Sequence, residues 1–137
     1  MHTTHFHIVL IEPEIPPNTG NIARLCAATG SDLHLVGKLG FSLEDKYLKR
    51  AGLDYWDAVQ LKRWGSLEEL RENYPQARFW FTSKKAEQVY TEVNYQHGDM
   101  LVFGKETLGL PEEWLSENPE QTIRIPLFDN RVRSLNL

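Results

Sequence analysis

The segment Ile15–Cys26, IPPNTGNIARLC, constrains this chain more than any other. It follows Phe6–Ile11, a mostly apolar run that predicts a buried strand. Two successive prolines cannot continue a central strand, and their fixed φ suits the first turn of a helix. The residues after them place Ile22, Leu25 and Cys26 on one helical face over Gly20–Thr29. A strand therefore passes into a helix through a rigid turn carrying Asn18, with Arg24 a turn further on. In an open α/β sheet this junction lies at the carboxyl end of a strand, where ligands bind. Two readings stand side by side. Asn18 caps the helix and the prolines only set its direction, or the turn is part of a site.

Similar punctuation recurs along the chain. Strands are expected at Leu33–Val36, Ala58–Leu61, Arg78–Thr82, Met100–Phe103 and Thr122–Ile125. Helices are expected at Leu43–Arg50, Ser66–Asn73 and Pro111–Glu117. Ser66 with Glu69 forms a capping-box pattern, and Gly30 stands where a glycine ends a helix. The alternation predicts an α/β fold, a mostly parallel sheet with helices on both faces. The 137 residues predict one domain with a sizeable core, and 41% hydrophobic and 25% charged residues suit a globular chain. No apolar run reaches the roughly 20 residues that span a bilayer. With Cys26 the single cysteine, an internal disulfide is excluded and a cytoplasmic location is expected.

Several chemistries are excluded or disfavoured. There is no GxGxxG, no HExxH, and Gly104–Gly109 continues into Leu-Pro rather than the Lys-Ser/Thr of a P-loop. His5 and His7 would share a strand face able to hold a metal, but packing or surface roles are expected and no metal is assigned. Cys26 reads as a small core residue. The net charge of −4 argues against a chain that is basic throughout. It leaves local pairs such as Lys84 and Lys85, or Arg131 and Arg133, as surface charge or phosphate contacts.

Two more loops follow expected strands. Phe103–Pro111, FGKETLGLP, carries Glu106 between two glycines that would let backbone approach a ligand. On that reading Gly104→Val blocks the ligand and spares the fold. Ile123–Leu137, IRIPLFDNRVRSLNL, carries Arg131, Arg133, Ser134 and Asn136.

Together these three segments resemble the three sequence motifs of the SPOUT-class RNA methyltransferases. With LIEPEIPPNTGN and KRAGLDYW the resemblance extends over nearly the whole chain. It is closest to the tRNA (cytidine/uridine-2′-O-)-methyltransferases of the TrmL, or YibK, branch. It implies transfer of a methyl group from S-adenosylmethionine to the ribose 2′-hydroxyl of the wobble nucleotide of leucine tRNAs. It also implies a C-terminal trefoil knot and a homodimer. By the same resemblance, Phe81, Gly104, Ile125 and Ser134 line the cofactor pocket. Arg24, Arg133 and Asn136 serve catalysis, and Asn18 and Glu106 lie toward the substrate at the pocket mouth. The family pattern continues beyond Leu137 with a further helix, so residues 1–137 are expected to form one SPOUT domain lacking that helix. The alternatives are a non-catalytic RNA-binding module and a flavodoxin-like nucleotide-binding protein.

Overall fold

A computed structural model describes residues 5–41 and 60–124 of the chain. Six parallel strands form one sheet: β1 (His7–Ile11), β2 (Asp32–Val36), β3 (Gln60–Trp64), β4 (Phe79–Thr82), β5 (Met100–Phe103) and β6 (Thr122–Ile123). Their spatial order is β3-β2-β1-β5-β4-β6. The helices are α1 (Pro16–Thr29), α2 (Leu67–Asn73) and α3 (Glu112–Glu117).

The sheet is covered on both faces, as expected. On one face Leu10, Leu33 and Leu35 pack with Ile22, Ala23 and Cys26 of α1. On the other, Val9, Val36, Phe79, Phe81, Met100 and Val102 pack with Leu67 and Leu70 of α2, flanked by Trp114 and Leu115 of α3. The alternation along each strand follows from the two-residue period of a pleat.

Local sequence explains most boundaries. Pro16 and Pro17 occupy the first two positions of α1, so the helix begins four residues earlier than the apolar periodicity indicates. These prolines lack N–H groups and leave fewer helix-end donors to satisfy. Asn18 is therefore not the cap: Ile15 is, with no side-chain cap bond. At the other end Gly30 takes a left-handed φ of 73°. Ser66 caps α2 by accepting the Glu69 N–H at 3.1 Å. The Glu69 carboxylate takes the N–H of Gly65, not that of Ser66, at 2.7 Å. The expected strand Ala58–Leu61 extends further, through Trp64, with Ala58 and Val59 outside the described residues. It is an edge strand with Lys62 and Arg63 exposed, so apolar content does not mark it. The expected helix Leu43–Arg50 lies outside the described residues.

Two polar networks lie within the sheet: one links His7 and His34 to Trp64, the half-buried last residue of β3, and the other surrounds Asp99 at the amino-terminal end of β5. Trp64 Nε1, which can only donate, is 2.9 Å from His34 Nδ1. The neutral His34 ring therefore carries its proton on Nε2 and donates to His7 Nδ1 at 2.9 Å. Asp99, also buried, accepts from Arg78 Nε and Nη2, from Trp80 Nε1 and from the Gln96 N–H.

Burial, and next the neighbouring His7, pushes the His34 pKa down to about 4, against the opposing pull of Asp32. His7 is lowered too, first by burial. His5, His97 and Lys62 also bear on this pair, and Asp32 is its acidic neighbour. The unfolded rings take up protons near pH 6.5 and the folded ones resist until pH is lower. This contribution to stability is therefore present above about 6.5 and is lost as pH falls toward the folded value. Urea midpoints measured across that window should fall with acidification. His34→Gln, which can still accept from Trp64 and donate to His7 but does not titrate, should flatten the slope.

Candidate functional site: a cleft between two interlocked loops

The crevice lies where the topology divides. β1 and β5 are hydrogen-bonded neighbours, with Leu10 opposite Phe103. The chain leaving β1 enters α1 on one face of the sheet, while the chain leaving β5 enters α3 on the other. Diverging connections open a crevice at the carboxyl ends of the strands. A cavity of about 650 Å³ lies there, with Leu10, Ile22 and Phe103 among its apolar lining. Its polar lining includes Asn18, Thr19, Thr82, Ser83, Lys84, Lys85 and the residues from Gly104 to Gly109. This volume suits a nucleoside-sized ligand.

Two carboxylates lock the loops across this crevice. Glu106 accepts the N–H of Glu14 at 2.8 Å and that of Ile15 at 3.0 Å. It also accepts from Asn18 Nδ2 at 3.3 Å. In return, Glu14 accepts the N–H of Thr107 at 3.0 Å and its hydroxyl at 2.8 Å. Those bonds, the hydroxyl's first, hold the Glu14 carboxyl below its usual pKa. Lys105 pairs with Glu12 at 3.0 Å. Glu12 itself takes a left-handed φ of 47°, which costs a non-glycine residue about 1 kcal/mol or more. Ile15 is the cap of α1, so Glu106 supplies the anionic partner that a helix N-terminus favours.

Glu106 and Asn18 thus meet at the cleft mouth, in direct contact. Glu14, Lys105 and Thr107 escaped the sequence reading. The paired carboxylates of IEPE were visible, but their partners lie about ninety positions away and nothing local announces them. Arg24 is exposed on α1. Phe81 is fully buried in the core with its ring edge toward Trp114, while its successors Thr82 and Ser83 line the cleft. Ile125, Arg131, Arg133, Ser134 and Asn136 lie outside the described residues, as does the segment expected to form the knot.

Gly104 differs from expectation. A Cβ built there would overlap the Gly109 carbonyl and the Leu110 nitrogen. The close approach seen here is between the two ends of the loop itself, so a side chain at 104 does not spare the fold. The loop closes through a bond from the Gly109 N–H to the Lys105 carbonyl at 2.8 Å, with Gly109 at φ 71°.

Other chemistry is less well served. His5, His7 and Asp32 bring three donor atoms within 4.8 Å of one another. The His7 Nδ1 lone pair, however, already accepts from His34. Burial pushes the Cys26 thiol up to about 12, which makes it inert as a nucleophile at neutral pH.

The SpoU rRNA Methylase family matches residues 5–137. The chain belongs to that family. It is 50% identical over 133 residues to the tRNA (cytidine(34)-2′-O)-methyltransferase of Methylovorus glucosotrophus, covering 96% of this chain and 86% of that one. A solved structure described as "Structural insights into the 2-OH methylation of C/U34 on tRNA" superposes with a TM-score of 0.86 at 43% identity, covering 93% of this chain and 84% of that one. The SpoU methyltransferase AviRb of Streptomyces viridochromogenes, solved with AdoMet, shares the fold with a TM-score of 0.78 at 19% identity, over 95% of this chain and 51% of its own.

In this SpoU family member, Gly104→Ala should destabilise the protein by about 1–3 kcal/mol through overpacking. A thermal midpoint equal to wild type would show that the loop does not close as described. Glu106→Ala should accelerate hydrogen exchange at the Glu14 and Ile15 amides well beyond that of β-strand amides. Unchanged exchange there would show that the carboxylate does not hold them.

Proposed function

We propose that this chain transfers a methyl group from S-adenosylmethionine to the ribose 2′-hydroxyl of nucleotide 34, cytidine or uridine, of tRNA. Leucine tRNAs are the finer part of this reading, and a homodimer its working form. The relative at 50% identity is named for this reaction on cytidine 34, and the solved structure at 43% for C/U34. The observation that carries the reading is the cleft at the β1–β5 carboxyl ends, walled by the very loops that hold PPNTGN and GKETLG. Its size, its apolar floor and a buried Thr19 hydroxyl without a partner among the described residues fit a ligand that carries both ring carbon and ribose.

When bound, S-adenosylmethionine supplies an already electrophilic methyl group. The protein's task is then alignment and exclusion of water. Leu10, Ile22 and Phe103 give the cleft its dry floor. Glu106, through Asn18 and the N–H groups of Glu14 and Ile15, holds the two loops at a fixed separation. Gly104, Ile125 and Ser134 would hold the cofactor, Phe81 contributing through backbone because its ring lies in the core. Arg133 and Asn136 would act with Arg24 on the substrate side. A guanidinium does not give up its proton in a protein, so Arg24 orients the ribose and its phosphate rather than acting as the base. The lysines at the cleft, Lys84 and Lys85, provide phosphate contacts that position RNA without reading sequence.

The experiment is methyl transfer from labelled S-adenosylmethionine to tRNA, with the product mapped to the ribose of nucleotide 34. Incorporation on a base, or at another position, would overturn the reading. Arg24→Ala should lower kcat by about tenfold or more while cofactor affinity changes little. Arg24→Lys should not restore the rate fully, because a point charge lacks the planar fork of donors. Parallel losses of rate and cofactor affinity would move Arg24 to the cofactor side.

A further inference from the structure

Thr19 is the fourth residue of α1 and is completely buried, yet its hydroxyl has no hydrogen-bond partner among the described residues. A threonine inside a helix ordinarily bonds back to the carbonyl one turn earlier. That carbonyl belongs to Ile15, and it already accepts the N–H groups of Asn18 at 3.1 Å and of Thr19 at 3.3 Å. Its two lone pairs are spent. Buried polar groups without partners are few in native proteins, and each is a cost that some partner offsets. Thr19 lines the cleft whose apolar residues include Leu10, Ile22 and Phe103.

We propose that the Thr19 hydroxyl is a ligand-binding group of this cleft, and that it hydrogen-bonds a ribose hydroxyl of the occupant. The inference rests on the function proposed above and adds a residue to it. A ribose enters that reading from two sources, the adenosine of the methyl donor and nucleotide 34 of the RNA. A ribose hydroxyl both donates and accepts, as does threonine, so the pair is satisfied in either direction. A ligand lacking that hydroxyl leaves Thr19 buried and unpaired, so the residue discriminates as well as binds.

The test compares Thr19→Val and Thr19→Ser with wild type by calorimetric binding of S-adenosylmethionine and of an anticodon stem–loop RNA, together with thermal midpoints. Thr19→Val removes an unpartnered hydroxyl at constant shape. Its midpoint should equal or exceed that of wild type, while affinity for one probe falls about three- to tenfold. Thr19→Ser keeps the hydroxyl and drops a buried methyl, so it should melt lower and bind near wild-type strength. Loss confined to S-adenosylmethionine assigns the donor's ribose, and loss confined to the RNA assigns the nucleotide's. Unchanged affinity of Thr19→Val for both probes overturns the inference alone. A Thr19→Val midpoint below that of Thr19→Ser also overturns it, since the hydroxyl would then serve the fold. Failure of the wild type to bind either probe removes the functional reading and the inference together.

Discussion

The cleft depends on one carboxylate. Glu106 stands on the loop after β5 and reaches across to two donors on the loop after β1 and a third, Asn18 Nδ2, in the first turn of α1. Each bond is individually modest, because the groups are exposed and water competes for them. Their value lies in geometry. The β1–β5 register sets Leu10 opposite Phe103, which brings the two loops side by side. Glu106 then fixes their separation, and Glu14 returns the constraint through Thr107. Two acceptors pointing in opposite directions prevent either loop from shifting alone. The closure of Gly104 onto Gly109 and Leu110 makes the second loop compact enough to carry its carboxylate at a fixed height.

Much of this was legible in the sequence, for reasons that can be stated residue by residue. Met100–Phe103 is apolar because it is interior to the sheet, and a strand flanked on both sides must be. Gly30 and Ser66 mark helix ends because the backbone there needs a left-handed residue or a side-chain acceptor, and few residue types supply either. The extent of β3 was not legible. An edge strand need not be apolar, so Lys62 and Arg63 hid it. Of the two readings of Asn18, the cap fails because a cap is recognised by residue type, whereas the preceding prolines had already removed donors it would serve. The structural demand on Gly104 was hidden for a related cause. A glycine signals close approach, but sequence does not say what approaches. Glu14 with Thr107, and Trp64 with His34, are contacts across long separations, and no local pattern encodes them.

The sheet separates two kinds of polar chemistry. Across β1, β2 and β3 the side-chain hydrogen bonds from Trp64 to His34 to His7 are neutral and largely buried, fixed in direction by an indole that can only donate. At the carboxyl end of the sheet they are charged and exposed, with Glu14 and Glu106 accepting from loop backbone. The first arrangement resists rearrangement, because one added proton on His7 Nδ1 would oppose the His34 N–H already pointing there. The second tolerates exchange with water and with an occupant. Stability is thus invested away from the cleft, where rigidity has no cost to binding.

The diprolyl turn couples these ends of the argument. Pro16 and Pro17 remove two N–H groups at the start of α1 and leave the Ile15 N–H for Glu106 and the Ile15 carbonyl for Asn18 and Thr19. A helix started by an ordinary cap would spend a side chain on its own first turn. Here the N–H groups of Glu14 and Ile15, just ahead of the first turn, and the Asn18 side chain are held from the opposite loop, so the entry into the helix and the position of the second loop are tied together. Local structure at α1 and the shape of the cleft are therefore one constraint. A sequence that keeps PPNT but loses the acceptor at position 106 leaves the Ile15 amide to water and the two loops without their shared anchor.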